Sequence, residues 1–97
     1  MVRAERDPAR PEVFWIYSLW VAPEARRQAL GRRLLARAEE WIGASGGGEV
    51  ELDVVDRETS AVRLYERAGY RPDGRRGPAR QPEAIEVGMR KTLALRP

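Results

Sequence analysis

Three stretches between residues 12 and 55 differ in hydrophobic period, and the order in which they come admits few architectures. Residues 12–21, EVFWIYSLWV, are β-branched and aromatic and read as a strand. From Ala29 to about Gly43 the apolar residues Leu30, Leu34, Leu35, Ala38, Trp41 and Ile42 return at helical spacing and share one face. EVELDVV at 49–55 then alternates, with Val50, Leu52 and Val54 on one side, as a second strand does. A strand, a helix and a strand in succession predict a crossover that sets the two strands parallel, and hence an α/β layer structure.

The remaining segments extend that unit. VRAE at 2–5, followed by the turn chemistry of DPARP, is expected to form a partner strand in a hairpin. GASGGG ends the first helix, with Gly43 as the expected cap. A second helix is expected at 59–68, where Ala61, Leu64, Tyr65 and Ala68 share a face, Thr59 or Ser60 can cap it and Gly69 stops it. YRP reads as a brief strand and DGRRGPARQP as a loop without core residues. EAIEVGMRKTL at 83–93 alternates Ile85, Val87 and Met89 and gives the last strand. The expected order is β-β-α-β-α-β-β in a single domain over 1–97, with no internal repeat and no linker.

Composition narrows the chemistry. The chain has no cysteine and no histidine, which excludes disulfides, thiol nucleophiles, the usual zinc ligand sets and any Ser-His-Asp arrangement. Proton transfer then falls to carboxylates, tyrosine, lysine or water. Among the 18 basic residues Lys91 is the only lysine, and the formal net charge is +3. Arginine binds phosphate through a planar, bidentate fork, so the excess hints at an anionic partner. No apolar run approaches the ~20 residues that span a bilayer, and the start, MVRAERDPAR, is charged where a signal peptide turns apolar. The expectation is a cytoplasmic protein with no membrane partner.

Residues 26–31, RRQALG, pose the functional question. An arginine-rich helix start is either a solvated cap or an anion cradle, because its backbone N–H groups carry partial positive charge. The surrounding segment, LWVAPEARRQALG, resembles motif A of the GNAT superfamily of acyl-CoA N-acyltransferases, V-x-P-x-x-R-x-x-G-x-G/A. Val21, Pro23, Arg26 and Gly31 match it, and Ala29 stands where the first glycine is usual. Farther on, SAVRLYERAGY resembles motif B of the same family, with Ala61, Leu64, Tyr65, Gly69 and Tyr70 in register. The resemblance covers about 12–91 and implies a GNAT-like mixed central sheet that lacks the family's usual opening strand-helix-helix-strand unit.

It also implies an acetyl-CoA-dependent N-acetyltransferase with no metal, acting on an amine substrate. The amides of 27–32 (Arg27, Gln28, Ala29, Leu30, Gly31, Arg32) would face the coenzyme diphosphate, with Arg26, Arg27 and Arg32 adding charge; Arg33 and Arg37, deeper in the helix, read as solvent-exposed. Leu19, Trp20 and Val21 would supply the strand edge that pairs with the pantetheine arm, and the spacing of Ile16, Leu19 and Val21 fits a β-bulge there. Tyr65 is by spacing a core residue and, in the resemblance, the general acid that protonates the departing thiolate. Glu58 stands where the family has an asparagine near the pantetheine, and a carboxylate donates no hydrogen bond unless protonated. Tyr17 stands where many relatives place a glutamate base. Glu51 and Asp53, pointing away from the apolar face of their strand, read as solvated charges or as bases acting through water. Two rival readings are a silent CoA-binding module or partner half-domain and, behind it, a small basic nucleic-acid binder, since no aromatic interleaves the arginines of DGRRGPARQP. A bare sheet edge at 2–6 or 12–16 leads to the expectation of a homodimer.

Overall fold

The computed structural model describes residues 3–17, 28–79 and 84–93, with the backbone alone for 28–30. Its elements are β1 (Arg3–Arg6), β2 (Val13–Tyr17), α1 (Gln28–Ala44), β3 (Glu49–Val55), α2 (Thr59–Arg67), β4 (Arg71–Pro78) and β5 (Ile85–Thr92). The five strands form one sheet in the order β1-β2-β3-β5-β4. β2 and β3, joined through α1, are parallel, and every other pair is antiparallel. The expected element order and the mixed sheet are both present.

The β1–β2 hairpin is closed by Asp7, whose Oδ1 accepts the amides of Ala9 and Arg10 at 2.8 and 3.0 Å. Strand alternation then sorts β2 and β3. Phe14, Ile16, Val50, Leu52 and Val54 pack with Met89 against Leu35, Ala38 and Ile42 of α1 and Tyr65 of α2. Both helices therefore cover the same face of the sheet. The opposite face carries Trp15, Glu49, Glu51, Asp53 and Arg90, and no helix among the described residues.

Four local expectations need correction. α1 runs past Gly43 to Ala44, and its left-handed cap is Gly46 (φ 89°), with the Gly47 amide reaching back to the Ile42 carbonyl at 2.8 Å. α2 has Glu58 at its N-cap and no side-chain capping bond, so neither Thr59 nor Ser60 serves there. Its C-terminus does end as expected: Gly69 (φ 100°) lets the Tyr70 amide reach the Tyr65 carbonyl at 2.9 Å. Arg71–Pro78 is a full edge strand paired with β5, broken by a bulge between Pro72 and Arg76. Nothing in its hydrophobic pattern signals this, because backbone pairing to β5 holds it and an outer edge tolerates its prolines. Ile85, alternating with Val87 and Met89 in sequence, is 41% exposed; it begins β5 opposite Pro78, beyond the reach of either helix.

Candidate active site

A break in the ladder organises the site. The parallel pairing runs Val13 to Glu49, Phe14 to Val50 and Trp15 to Glu51, and stops there. Among the described residues, β2 continues through Ile16 and Tyr17 paired with β1 alone, and β3 continues to Val55 paired with β5 alone. The two inner strands thus part with backbone groups facing a gap, where an extended ligand can bond as an added strand does. The strand edge expected to supply those bonds, Leu19, Trp20 and Val21, lies outside the described residues, as do Arg26 and Arg27 and the side chains of Gln28, Ala29 and Leu30.

α1 is charged against its own dipole. Arg32 and Arg33 lie in its first half and Arg37 just past its middle, all exposed, and Glu39 and Glu40 follow in its second. Its first turn holds no acid and its last turn no base. A helix gains a few tenths of a kcal/mol from each charge placed the other way round, so this distribution forgoes stability while concentrating positive potential at the N-terminus. Gly31 has a second use: a Cβ there would come within 3.0 Å of Leu64 Cδ2. The missing side chain lets α2 close against α1 at Leu64, the residue before Tyr65.

Tyr65 is the core residue that its helical spacing predicts. It is 7% exposed, belongs to the core cluster and meets Tyr70 edge to face at 5.8 Å. Burial pushes its hydroxyl up to about 12, so at neutral pH it holds its proton, as a general acid must. Its hydroxyl makes no hydrogen bond to a described residue. Tyr70, by contrast, donates to Glu39 Oε2 at 2.8 Å, and Lys91 Nζ bonds Glu39 Oε1 at 2.8 Å. That chain ties α1 to the end of α2 and to β5 behind Tyr65.

The candidate bases separate clearly. Glu51 is not a solvated strand charge: it is 1% exposed, held by a fork from Arg10 at 3.0 and 2.9 Å and by Arg90 at 3.0 Å. An acceptor so occupied is structural. Tyr17 is 36% exposed at the end of β2, and burial, with Glu5 nearby, raises its hydroxyl above the ordinary phenol range, which makes it a poor base. Asp53 accepts Arg75 Nη1 at 3.0 Å. Glu58 is exposed at the α2 N-cap and spends no side-chain bond on the helix.

Arg75 was invisible to hydrophobic patterning. It bonds Asp73 Oδ2 at 2.7 Å as well as Asp53, and its guanidinium lies 4.7 Å over the Trp15 ring. Trp15 in turn stacks on Tyr17 at 6.3 Å, and Arg3 caps Tyr17 at 5.1 Å. One arginine of the β4 stretch, Arg75, thus lies on an aromatic from another strand. Its surroundings still disfavour nucleic acid, because Arg3, Arg10, Arg75 and Arg90 are each engaged by a carboxylate. The one signal available in sequence was parity: Trp15, Glu51 and Asp53 alternate onto the face opposite the core.

Comparison with known proteins agrees with the geometry. Residues 1–70 match the family model of the acetyltransferase (GNAT) family. An uncharacterised N-acetyltransferase YhfO of Bacillus subtilis is 33% identical over 61 residues, 63% of this chain and 41% of that protein. A GNAT-family acetyltransferase from Streptococcus pneumoniae superposes with a TM-score of 0.78 at 25% identity, over 95% of this chain and 57% of that one. The fold is also that of yncA from Salmonella typhimurium, described with its cofactor acetyl-CoA, at TM-score 0.77 and 16% identity over 96% of this chain and 58% of that one. The chain thus spans under two thirds of the length of each.

Proposed function

Because the chain belongs to the acetyltransferase (GNAT) family, we propose that it transfers an acetyl group from acetyl-CoA to a primary amine by direct attack in a ternary complex. The observation that carries this reading is the end of the described β2–β3 pairing at Trp15 and Glu51, on strands whose next core residues, Ile16 and Leu52, share one cluster with Tyr65. Bound there, acetyl-CoA supplies an activated thioester. The residues of this chain hold it and manage protons. The amides opening α1, with Arg26, Arg27 and Arg32, take the diphosphate; the strand edge expected of Leu19 to Val21, together with β3, takes the pantetheine arm, and an amide near Leu19 to Val21 serves as oxyanion donor. Tyr65 donates its proton to the departing thiolate.

A covalent acyl-enzyme has little support, since the sequence contains neither cysteine nor histidine. Among the described residues no helix is long and apolar enough to cross a membrane. We further propose a homodimer, supported by the position of β1 as an outer strand; sedimentation at micromolar concentration should show dimer, and a clean monomer with full turnover refutes it. The main reading is tested by thermal denaturation with and without acetyl-CoA and by amine turnover of Tyr65→Phe. Ligand that binds only the native state must raise the melting temperature. The variant should lose about 10²-fold or more in kcat, the usual worth of a general acid, with acetyl-CoA affinity kept. Stabilisation without turnover would make the chain a silent CoA-binding module.

A further inference from the structure

The sheet has two edges, and only one of them is guarded. β4 closes one side with Pro72 and Pro78, a left-handed Gly74 (φ 91°) and a bulge between Pro72 and Arg76. Prolines and bulges are means by which an edge refuses a further strand. β1 closes the other side with neither: RAER pairs with β2 in one unbroken register.

The register decides which groups that edge offers. The Asp7 amide bonds the Val13 carbonyl at 2.8 Å, and in an antiparallel ladder bonded pairs alternate with unbonded ones. Arg3 and Glu5 therefore turn their main-chain groups toward β2, and Ala4 and Arg6 turn theirs outward. The side chains leave the way clear. Ala4 packs against the core. Arg6 folds back over its own sheet, bonding the Pro11 and Ser45 carbonyls at 2.6 and 2.7 Å and lying 4.7 Å over Phe14. Trp41 meets the same Phe14 ring edge to face at 5.6 Å and stays 53% exposed, so an apolar surface borders the open edge. On the opposite face Arg3 and Glu5, exposed and of opposite sign, lie 3.5 Å apart.

We propose that the occupant of this edge is β1 of a second copy, antiparallel about a two-fold axis at Ala4, so that two sheets continue as one. This gives the homodimer proposed above its interface, and it does not depend on the acetyl-transfer reading. Charge selects the register. The outward groups can be bonded with Ala4 opposite the partner's Ala4, with Ala4 opposite the partner's Arg6, or with Arg6 opposite the partner's Arg6. The second sets Glu5 against the partner's Glu5 and the third sets two arginines together, and like charges directly opposite are destabilising. The first puts Arg3 opposite the partner's Glu5, twice by symmetry, and lets two alanine methyl groups meet. It also turns residues 7–11 of each copy toward the end of the partner's sheet at which the β2–β3 gap opens.

The test is sedimentation of the whole chain at micromolar concentration, with wild type expected as a dimer. Ala4→Pro removes an outward N–H and none of the bonds to β2, so it should leave a folded monomer. Arg3→Glu and Glu5→Arg each set like charges opposite one another across the axis and should each weaken self-association about tenfold or more. Mixed in equal amounts, these two variants should pair with each other as tightly as wild type, which certifies their fold and which no repair within one chain can produce. Ala4→Cys, in a chain without cysteine, should cross-link on oxidation, since bonded antiparallel partners have Cα atoms about 5.5 Å apart, within disulfide reach; Arg6→Cys should not. A wild-type monomer overturns the dimer and its interface together. A dimer that survives Ala4→Pro, charge variants that fail to pair when mixed, or cross-linking no better at position 4 than at position 6 overturns the interface alone.

Discussion

The two faces of the sheet solve the problem of burial by different means. Under the helices, Phe14, Ile16, Val50, Leu52, Val54 and Met89 are all at most 7% exposed and cluster with apolar neighbours and two tyrosines. On the other face the same strands bury a carboxylate, Glu51, as deeply as any leucine, and hold it with two arginines from distant segments. The first face is kept by area removed from water, which is indifferent to salt and to moderate pH. The second is kept by charge-assisted hydrogen bonds, which are directional and exact their cost when one partner goes missing. The covered face gives stability; the charged face gives placement, since Arg10 pins the hairpin turn and Arg75 pins the bulge of β4.

Substitutions can break this contrast. Ile42→Ala, at a site that is fully buried, should cost about 2–5 kcal/mol by loss of transfer energy and a residual cavity, unchanged between low and high salt in urea denaturation. Glu51→Ala should cost less, about 1–3 kcal/mol, because Arg10 and Arg90 lose their acceptor but keep access to water. Its cost should shrink further as salt is raised toward 1 M, where screening acts within about 3 Å. A Glu51 penalty as large and as salt-independent as that of Ile42 would erase the distinction. The smallest effect is expected from pH. Asp7 is held below the ordinary carboxylate range, first by the Trp15 indole N–H and then by the Ala9 amide, with Arg10 adding to it. A depressed folded value means that its contribution is complete above pH about 4 and is lost as pH falls below that. Wild type should therefore lose melting temperature on acidification more steeply than Asp7→Asn, with the core variant parallel to wild type.

How much of this was legible depended on which face was asked about. Hydrophobic period found β2, α1, β3, α2 and β5 because each offers apolar side chains to one shared core. β4 has no buried residue to reveal it, so a strand made by backbone pairing alone read as a loop. Glu51 looked like a solvated charge because its burial is created by Arg10, 41 positions away, and by Arg90, 39 positions away. The place of Tyr65 in the core could be read from its spacing, and the close approach of α2 to α1 at Gly31 could not, because Leu64 and Gly31 lie 33 positions apart.

The short run of pairing between β2 and β3 also bears on how the molecule opens. Among the described residues, three pairs in register join β2 of the β1–β2 hairpin to β3, while β3 and β5 share seven. Cooperative units tend to separate where such bonds are fewest, so the hairpin is expected to detach as a subunit of opening ahead of the β3–β5–β4 block, and amides of Val13 to Tyr17 to exchange with solvent sooner than those of Leu52 to Val55. A ligand strand seated in the gap would bridge the two units and make them open together. Coenzyme would then be a missing piece of the hydrogen-bonded scaffold as well as a reactant.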